Sequence, residues 1–371
     1  MTTAPTEHVL DLKDVSKVYR GRVHALRGID MRVRAGEAFG LLGPNGAGKS
    51  TLVKILMTVI RPTRCEGTML GAPVGKKVAL ARVGYLPEHH TFPPYLKGAQ
   101  VLDFVGALAK FPRKERRARI GMLLDLVGMS QWASTPIGKY SKGMRQRIGV
   151  AQALINDPDL VLLDEPTDGV DPVGRREIRM ILQRLKEEGK TLFLNSHMLT
   201  ELEMICDRVS ILVQGVVAKQ GTIEELTTGK KRYEIELVGE AEQAREAFRA
   251  ALPNLLEASA EAPLLANEPE GGESSAPPTT SALARRVGYR GHLPTGERLE
   301  IDGRTLRIGT ADSEVVQPIL DALRARGQVI REVRQHRPTL EDLFIEAVTD
   351  PTTGKVLLPG ASSDKSRKGR A

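Results

Sequence analysis

The sequence predicts an α/β domain built on a largely parallel sheet, followed by a smaller α+β domain. From Leu10 to about Gln220, short apolar runs alternate with longer stretches of helical periodicity, as successive βα units require. A second stretch, Arg232 to Val348, opens on the alternating Tyr233, Ile235 and Leu237 and passes into a helical segment. The 371 residues exceed what one ordinary core organises, and 41% hydrophobic with 27% charged residues is the balance of a globular chain. The expected units are residues 1–230 and 231–350, with a disordered basic tail over 351–371.

Composition also excludes several classes. No run approaches the ~20 apolar residues of a membrane-spanning helix; the longest, around Ala38 to Leu42 and Ile211 to Ala218, are broken by glycine or polar residues. Met1 to Val9 lacks a basic-then-apolar signal, so the expected compartment is the cytosol. Cys65 and Cys206 have neither metal-ligand spacing nor a disulfide framework and read as ordinary thiols. The formal charge of +8 would suit an acidic partner such as nucleic acid, phospholipid or a nucleotide. Much of that excess lies in Arg113 to Arg119 and in the tail, where a solvated helix face and a loose end account for it.

The first element with chemistry is the strand Ala38 to Leu42. It runs into Gly43-Pro44-Asn45-Gly46-Ala47-Gly48-Lys49-Ser50, which fits G-x-x-x-x-G-K-[ST], and a helix carrying Leu52, Ile55, Leu56 and Val59 follows. Gly43, Gly46 and Gly48 let the backbone wrap closely around phosphates with its N–H groups inward, where a Cβ would obstruct. The helix N-terminus adds partial positive charge, Lys49 a full one for the β and γ phosphates, and the Ser50 hydroxyl a ligand for Mg²⁺. Thr51 is expected to cap nearby phosphate oxygens.

Further on, Leu160-Val161-Leu162-Leu163 ends in Asp164-Glu165, the pattern of a buried parallel strand delivering two carboxylates to its C-terminal edge. Asp164 is expected to hold Mg²⁺ through water. Glu165, on the opposite side of the pleat, is expected to face the γ phosphate as general base.

With Pro166 to Asp171 following that pair, the chain from about Leu10 to Gln220 resembles the ATP-binding subunit of an ABC transporter. The resemblance implies a P-loop NTPase fold with a helical subdomain, and ATP with Mg²⁺ as ligands. It places Tyr19 on the adenine, and Glu88, where the family commonly has glutamine, on Mg²⁺ near the membrane partner. His197 matches the histidine that contacts the γ phosphate and links it to Glu165, and Asp171 the residue that communicates across a dimer. Tyr140-Ser141-Lys142-Gly143-Met144 occupies the signature sequence, so Ser141 and the Gly143 N–H are expected to meet the γ phosphate held by the loop of a second copy. Lys142 and Met144 depart from the usual glycine and glutamine. Similar variants occur in the branch that exports drugs, lipids or polysaccharides.

The second unit is read from Tyr233 onward. A short helix signal and Gly229-Lys230-Lys231 over Thr222 to Lys231 mark a hinge. A helix over Ala241 to Leu252 precedes a flexible insertion, residues 257–284, rich in Ala, Pro, Ser, Glu and Gly. A hairpin over Arg298 to Ile308 turns at Asp302-Gly303, followed by a helix from Ser313 to Arg326 and a strand from Gln328 to Val333. A last helix, Leu340 to Val348, has Thr339 as N-cap and Asp342 closing an [ST]-x-x-[DE] box. The resemblance makes this unit an accessory domain.

Two copies are therefore expected to close head to tail on two Mg-ATP molecules and to drive separate permease subunits from the cytoplasmic face of the membrane, with the helical stretch between Glu88 and Ser141 as contact surface. No nucleic-acid partner is expected. The alternative is a soluble ABC-type ATPase acting on ribosomes or nucleic acid; those translation factors usually carry two cassettes, and this chain has one phosphate loop.

Overall fold

The computed structural model describes residues 8–20, 23–227, 232–252, 289–293, 295–336 and 339–349. The chain divides into two compact units. The first opens with β1 (His8–Tyr19), β2 (Val23–Arg34), β3 (Ala38–Leu42), α1 (Lys49–Leu56), β4 (Arg64–Met69), β5 (Ala72–Pro73) and β6 (Val83–Leu86). There follow α2 (Gly98–Leu108), α3 (Arg113–Leu126), α4 (Lys142–Ala153), β7 (Leu160–Asp164) and α5 (Pro172–Glu187). It continues through β8 (Thr191–Asn195), α6 (Leu199–Ile205), β9 (Arg208–Val213), β10 (Val216–Thr222) and α7 (Ile223–Thr227).

Its central sheet has the order β10-β9-β3-β8-β7-β6, parallel except for the hairpin strand β10. Every residue of β3, β7 and β8 is buried, which is why these strands are unbroken apolar runs and not alternating ones. Successive residues still serve opposite faces. Phe39, Leu41, Leu162 and Phe193 pack with Leu52, Ile55 and Leu56 of α1, whereas Leu42, Leu163 and Leu194 pack with Ile148 of α4 and Ile178 of α5. Phe39 and Phe193 stack at 5.7 Å between ring centroids.

A four-stranded sheet of order β2-β1-β4-β5, with antiparallel pairing, adds a layer that the alternation of β and α units did not announce. Its pattern is nonetheless written in β2, where the buried Ile29, Met31 and Val33 alternate with Asp30, Arg32 and Arg34. These inward residues join the core beneath α1, so the sheet braces the corner where β3 turns into α1.

The second unit, Thr227–Thr339, comprises β11 (Arg232–Leu237), α8 (Ala241–Ala251), β12 (Tyr289–His292), β13 (Arg298–Asp302), β14 (Thr305–Ile308), α9 (Ser313–Ala325) and β15 (Ile330–His336). Its antiparallel sheet runs β12-β13-β14-β11-β15, and Ile235, Leu237, Phe248, Leu306, Ile308 and Leu323 form its core. The hairpin turns at Asp302-Gly303, as read from the sequence, and Asp312 caps α9 by accepting the Glu314 N–H at 2.9 Å. The insertion 257–284 and the tail 351–371 lie outside the described residues.

One assignment changes. The last helix, α10 (Leu340–Val348), expected in the small domain, belongs to the first unit. Leu340, Leu343 and Val348 are buried in the same core as Leu202 and Ile205 of α6 and Val209 of β9. The Leu340 N–H donates to the Glu203 carboxylate, and Lys219 Nζ lies 2.8 Å from Glu346 Oε2. Amphipathic spacing states that a helix has a buried face, not which core receives it. The small unit is thus an insertion within the first. Leu343→Ala is expected to destabilise the first unit by about 2–5 kcal/mol, the cost of an emptied leucine site, measured by urea denaturation with a probe in that unit.

Candidate functional site

The C-terminal ends of the parallel strands open into one cleft. Leu42, Gly43, Pro44, Asn45, Lys49, Ser50, Glu88, Asp164, Glu165, Asp168, Asn195, His197, Leu199 and Phe344 line it. Four of the five lining segments meet here because the strands β3, β7 and β8 are adjacent in register and β6 flanks β7, so the chain leaving each arrives at the same edge; Phe344 of α10 is the fifth.

The loop between β3 and α1 closes the near wall. Gly48 sits at φ 110°, and a Cβ there would lie 2.5 Å from the Ala25 carbonyl oxygen, so no other residue takes this turn without displacing β2. Lys49 is 8% exposed and donates to the carbonyls of Gly43 at 2.6 Å and Pro44 at 3.3 Å. Burial pulls its ammonium below the usual lysine range, while the carboxylates of Glu165, Asp164 and Glu88 oppose that pull. The three carboxylates already compensate this buried cation, and Lys49 is the positive charge that an incoming phosphate would meet among them.

Opposite stand the carboxylates. Asp164 ends β7 with its Oδ1 accepting from Asn195 Nδ2, and burial pushes its carboxyl above the usual range. Glu165 adopts a left-handed φ of 51°, a strained conformation for a non-glycine residue, held by its N–H donating to Asn195 O at 2.8 Å. Its carboxylate accepts from the His197 N–H at 3.0 Å and from Ser196 Oγ at 3.2 Å, and His197 Nδ1 lies 2.9 Å from Oε2. Both oxygens of the carboxylate are thus held by Ser196 and His197, while the residue itself lines the cleft.

The donor set bears on Mg²⁺. Ser50, Glu88 and Asp164 offer oxygens alone, the ligand type of hard cations, and the buried Asn195 Oδ1 has no hydrogen-bond partner. No group of three or more His, Cys, Asp or Glu that could hold a metal by itself occurs among the described residues. That combination suits Mg²⁺, which takes one or two carboxylates and completes its shell with water and phosphate oxygens.

Other candidates lie elsewhere. Tyr19, 37% exposed at the end of β1, has its hydroxyl 3.5 Å from Thr51 Oγ1 and is not part of the cleft lining. Gly46, Ala47, Gly48 and Thr51 are likewise outside that lining. Ser141 caps α4, its Oγ accepting the Met144 N–H at 3.1 Å, and Asp171 caps α5 by accepting the Gly174 N–H at 3.3 Å. Neither Ser141, Gly143 nor Asp171 lines the cleft of its own chain. Asn195, Asp168, Leu199 and Phe344 do, and sequence reasoning did not single them out as site residues. Asn195, the last residue of β8, had a signal in its place at the end of an apolar run; Phe344, from α10, had none.

Residues 26–168 match a family model described as ABC transporter. The chain is 46% identical over 245 residues to the uncharacterized ABC transporter ATP-binding protein sll0415 of Synechocystis, covering 64% of this chain and 69% of that one. It is 32% identical over 335 residues to the daunorubicin resistance ATP-binding protein DrrA3 of Streptomyces coeruleorubidus, covering 89% of this chain and 93% of that one. Among solved structures it is similar to the dimeric structure of MJ0796, a bacterial ABC transporter cassette, with a TM-score of 0.53 and 25% identity, over 57% of this chain and 98% of that one.

Proposed function

Because the chain belongs to the ABC transporter family of ATP-binding, ATP-hydrolysing subunits, we propose that two copies close head to tail on two Mg-ATP molecules and power a separate exporter permease. The observation that carries this reading is the single cleft in which Lys49, Ser50, Asp164, Glu165 and His197 converge. The similarity to a dimeric cassette and to a drug-resistance ATP-binding protein supports the dimer and the export direction.

In this mechanism the N–H groups of the loop Gly43 to Ser50 cradle the phosphates, and Lys49 exchanges the Gly43 and Pro44 carbonyls for β and γ oxygens. Tyr19 stacks on the adenine, and Thr51 caps a phosphate oxygen. Ser50, Asp164 and Glu88 would hold Mg²⁺, which when bound would supply positive charge to the phosphate oxygens. Glu165 accepts the proton of the attacking water, while the hydrogen bonds from His197 and Ser196 keep its carboxylate aimed at the cleft. His197 contacts the γ phosphate. Ser141 Oγ and the Gly143 N–H complete the site of the other copy from the start of α4, and Asp171 marks the turn that borders the same contact.

For the permease, the segment between Glu88 and Ser141 offers exposed large apolar side chains, Tyr95, Phe104, Leu108 and Met122. Phe104 and Leu108 are four residues apart on α2 and share a face. No described helix is long and apolar enough to cross a membrane, so the subunit is proposed to sit on the inner face of the cell membrane through its permease. The reading that sends the chain to ribosomes or nucleic acid is not favoured, since the relatives are ATP-binding proteins of transporters. Purification from gently solubilised membranes is the test. A polytopic membrane protein retained at high salt is expected; ribosomes or nucleic acid released by salt would overturn the transport reading.

A further inference from the structure

Lys142 is the residue at which the signature segment departs from glycine, and its surroundings account for the charge. It is the first residue of α4, after the cap Ser141, where a cation opposes the helix dipole and where the first turn holds no acidic residue. Its partner comes from the turn after β7. Lys142 Nζ lies 3.0 Å from Asp168 Oδ2, with the two side chains 51% and 49% exposed. This bond, more than any other influence, holds the Asp168 carboxyl below the usual carboxylate range, with partial burial opposing and His197 and His89 assisting.

Asp168 lines the nucleotide cleft together with Glu165 and His197. A bare carboxylate on that wall would repel a triphosphate, and Lys142 neutralises it from outside the cleft. The turn is shaped for the lysine. Gly169, at φ 61°, leaves its stem a path that a Cβ would block, 2.8 Å from Lys142 Cε. One residue on, the buried Val170 packs against the start of α4, where a Cβ on Gly143 would lie 3.2 Å from Val170 Cγ1. The wall of one nucleotide cleft and the helix end bearing Ser141 are thus joined at two adjacent points.

We propose that the Lys142–Asp168 ion pair is a tether that couples the nucleotide cleft of each copy to the α4 end it presents to the other, making Lys142 a positioning residue for two-site cooperativity. The proposal rests on the head-to-tail reading above. ATP seated against the Asp168 wall orders the turn from Glu165 to Asp171, and the tether passes that order to Ser141 and Gly143. A glycine at 142 would remove the charged junction and leave the Val170–Gly143 packing to align the two surfaces by itself.

The test uses the full chain with ATP, in a Glu165→Gln background for dimerisation and in the hydrolysing protein for kinetics. Each dimer contains two such pairs, and an exposed pair is worth a few-fold, so Lys142→Gln is expected to weaken the ATP-bound dimer about tenfold in sedimentation equilibrium. The Hill coefficient of hydrolysis is expected to fall to about 1. Lys142→Arg keeps the pair and is expected to stay within about twofold of the parent. Lys142→Gln combined with Asp168→Asn removes both charges; monomer affinity for a fluorescent ATP analogue is expected to return to within about twofold, while the dimer remains weak.

A double variant that dimerises as tightly as its parent would overturn the tether, reducing Lys142 to local charge balance. So would a Lys142→Gln protein with unchanged dimerisation and Hill coefficient. A Glu165→Gln parent that remains monomeric under saturating ATP fails the two-copy reading itself, and the tether with it. The parent's behaviour therefore separates the two failures.

Discussion

Lys49→Ala is expected to weaken ATP binding by about a hundredfold or more, corresponding to ~3 kcal/mol, the order associated with a buried charged contact. The loss exceeds that of one hydrogen bond because of what remains. Lys49 is the buried cation facing Glu165, Asp164 and Glu88, and without it an incoming triphosphate meets three carboxylates unopposed. The α1 backbone stays intact, since alanine is a good helix former and the Leu52, Ile55 and Leu56 face is untouched. Isothermal titration of the folded variant with ATP decides it; unchanged affinity would remove the phosphate assignment of the cleft.

Glu165→Gln is expected to bind ATP at near-parental affinity and to hydrolyse it about 10²–10⁴-fold more slowly, the range for loss of a positioned general base. The amide is nearly isosteric and keeps an oxygen for the His197 N–H, so the strained turn at residue 165 has the same anchors. What disappears is proton acceptance, which matters in the transition state and not in binding. Phosphate release measures the rate, and light scattering with ATP is expected to find dimers accumulating. Parental turnover would exclude Glu165 as the base.

The parts of the site that were legible in the sequence share a physical reason. β3, β7 and β8 are buried on both faces, which leaves contiguous apolar runs, and the polar residues Gly43, Asp164 and Glu165 at the ends of β3 and β7 stand out against those runs, whereas His197 came from the resemblance. The glycine spacing around Lys49 likewise reflects a backbone constraint that one chain states alone. Residues brought in by tertiary packing had no such marker. Asp168 reads as an ordinary turn residue until Lys142, 26 positions earlier, is found beside it. Phe344 reads as one more apolar position on an amphipathic helix. Asp171 is the reverse case. The resemblance assigned it to communication across a dimer, and the structure finds it capping α5.

The return of α10 to the first unit also sets an order of events at birth. During synthesis the strands β9 and β10 leave the ribosome early, yet the helix that covers Leu202, Ile205 and Val209 follows only after the 113 residues of Thr227–Thr339. At roughly 5–20 residues per second that is a delay of about 6–23 s, during which an apolar surface beside the cleft lacks its cover. The nascent cassette reaches its final form last at this cleft, so a chain cut short by translational arrest is left without the Phe344 wall.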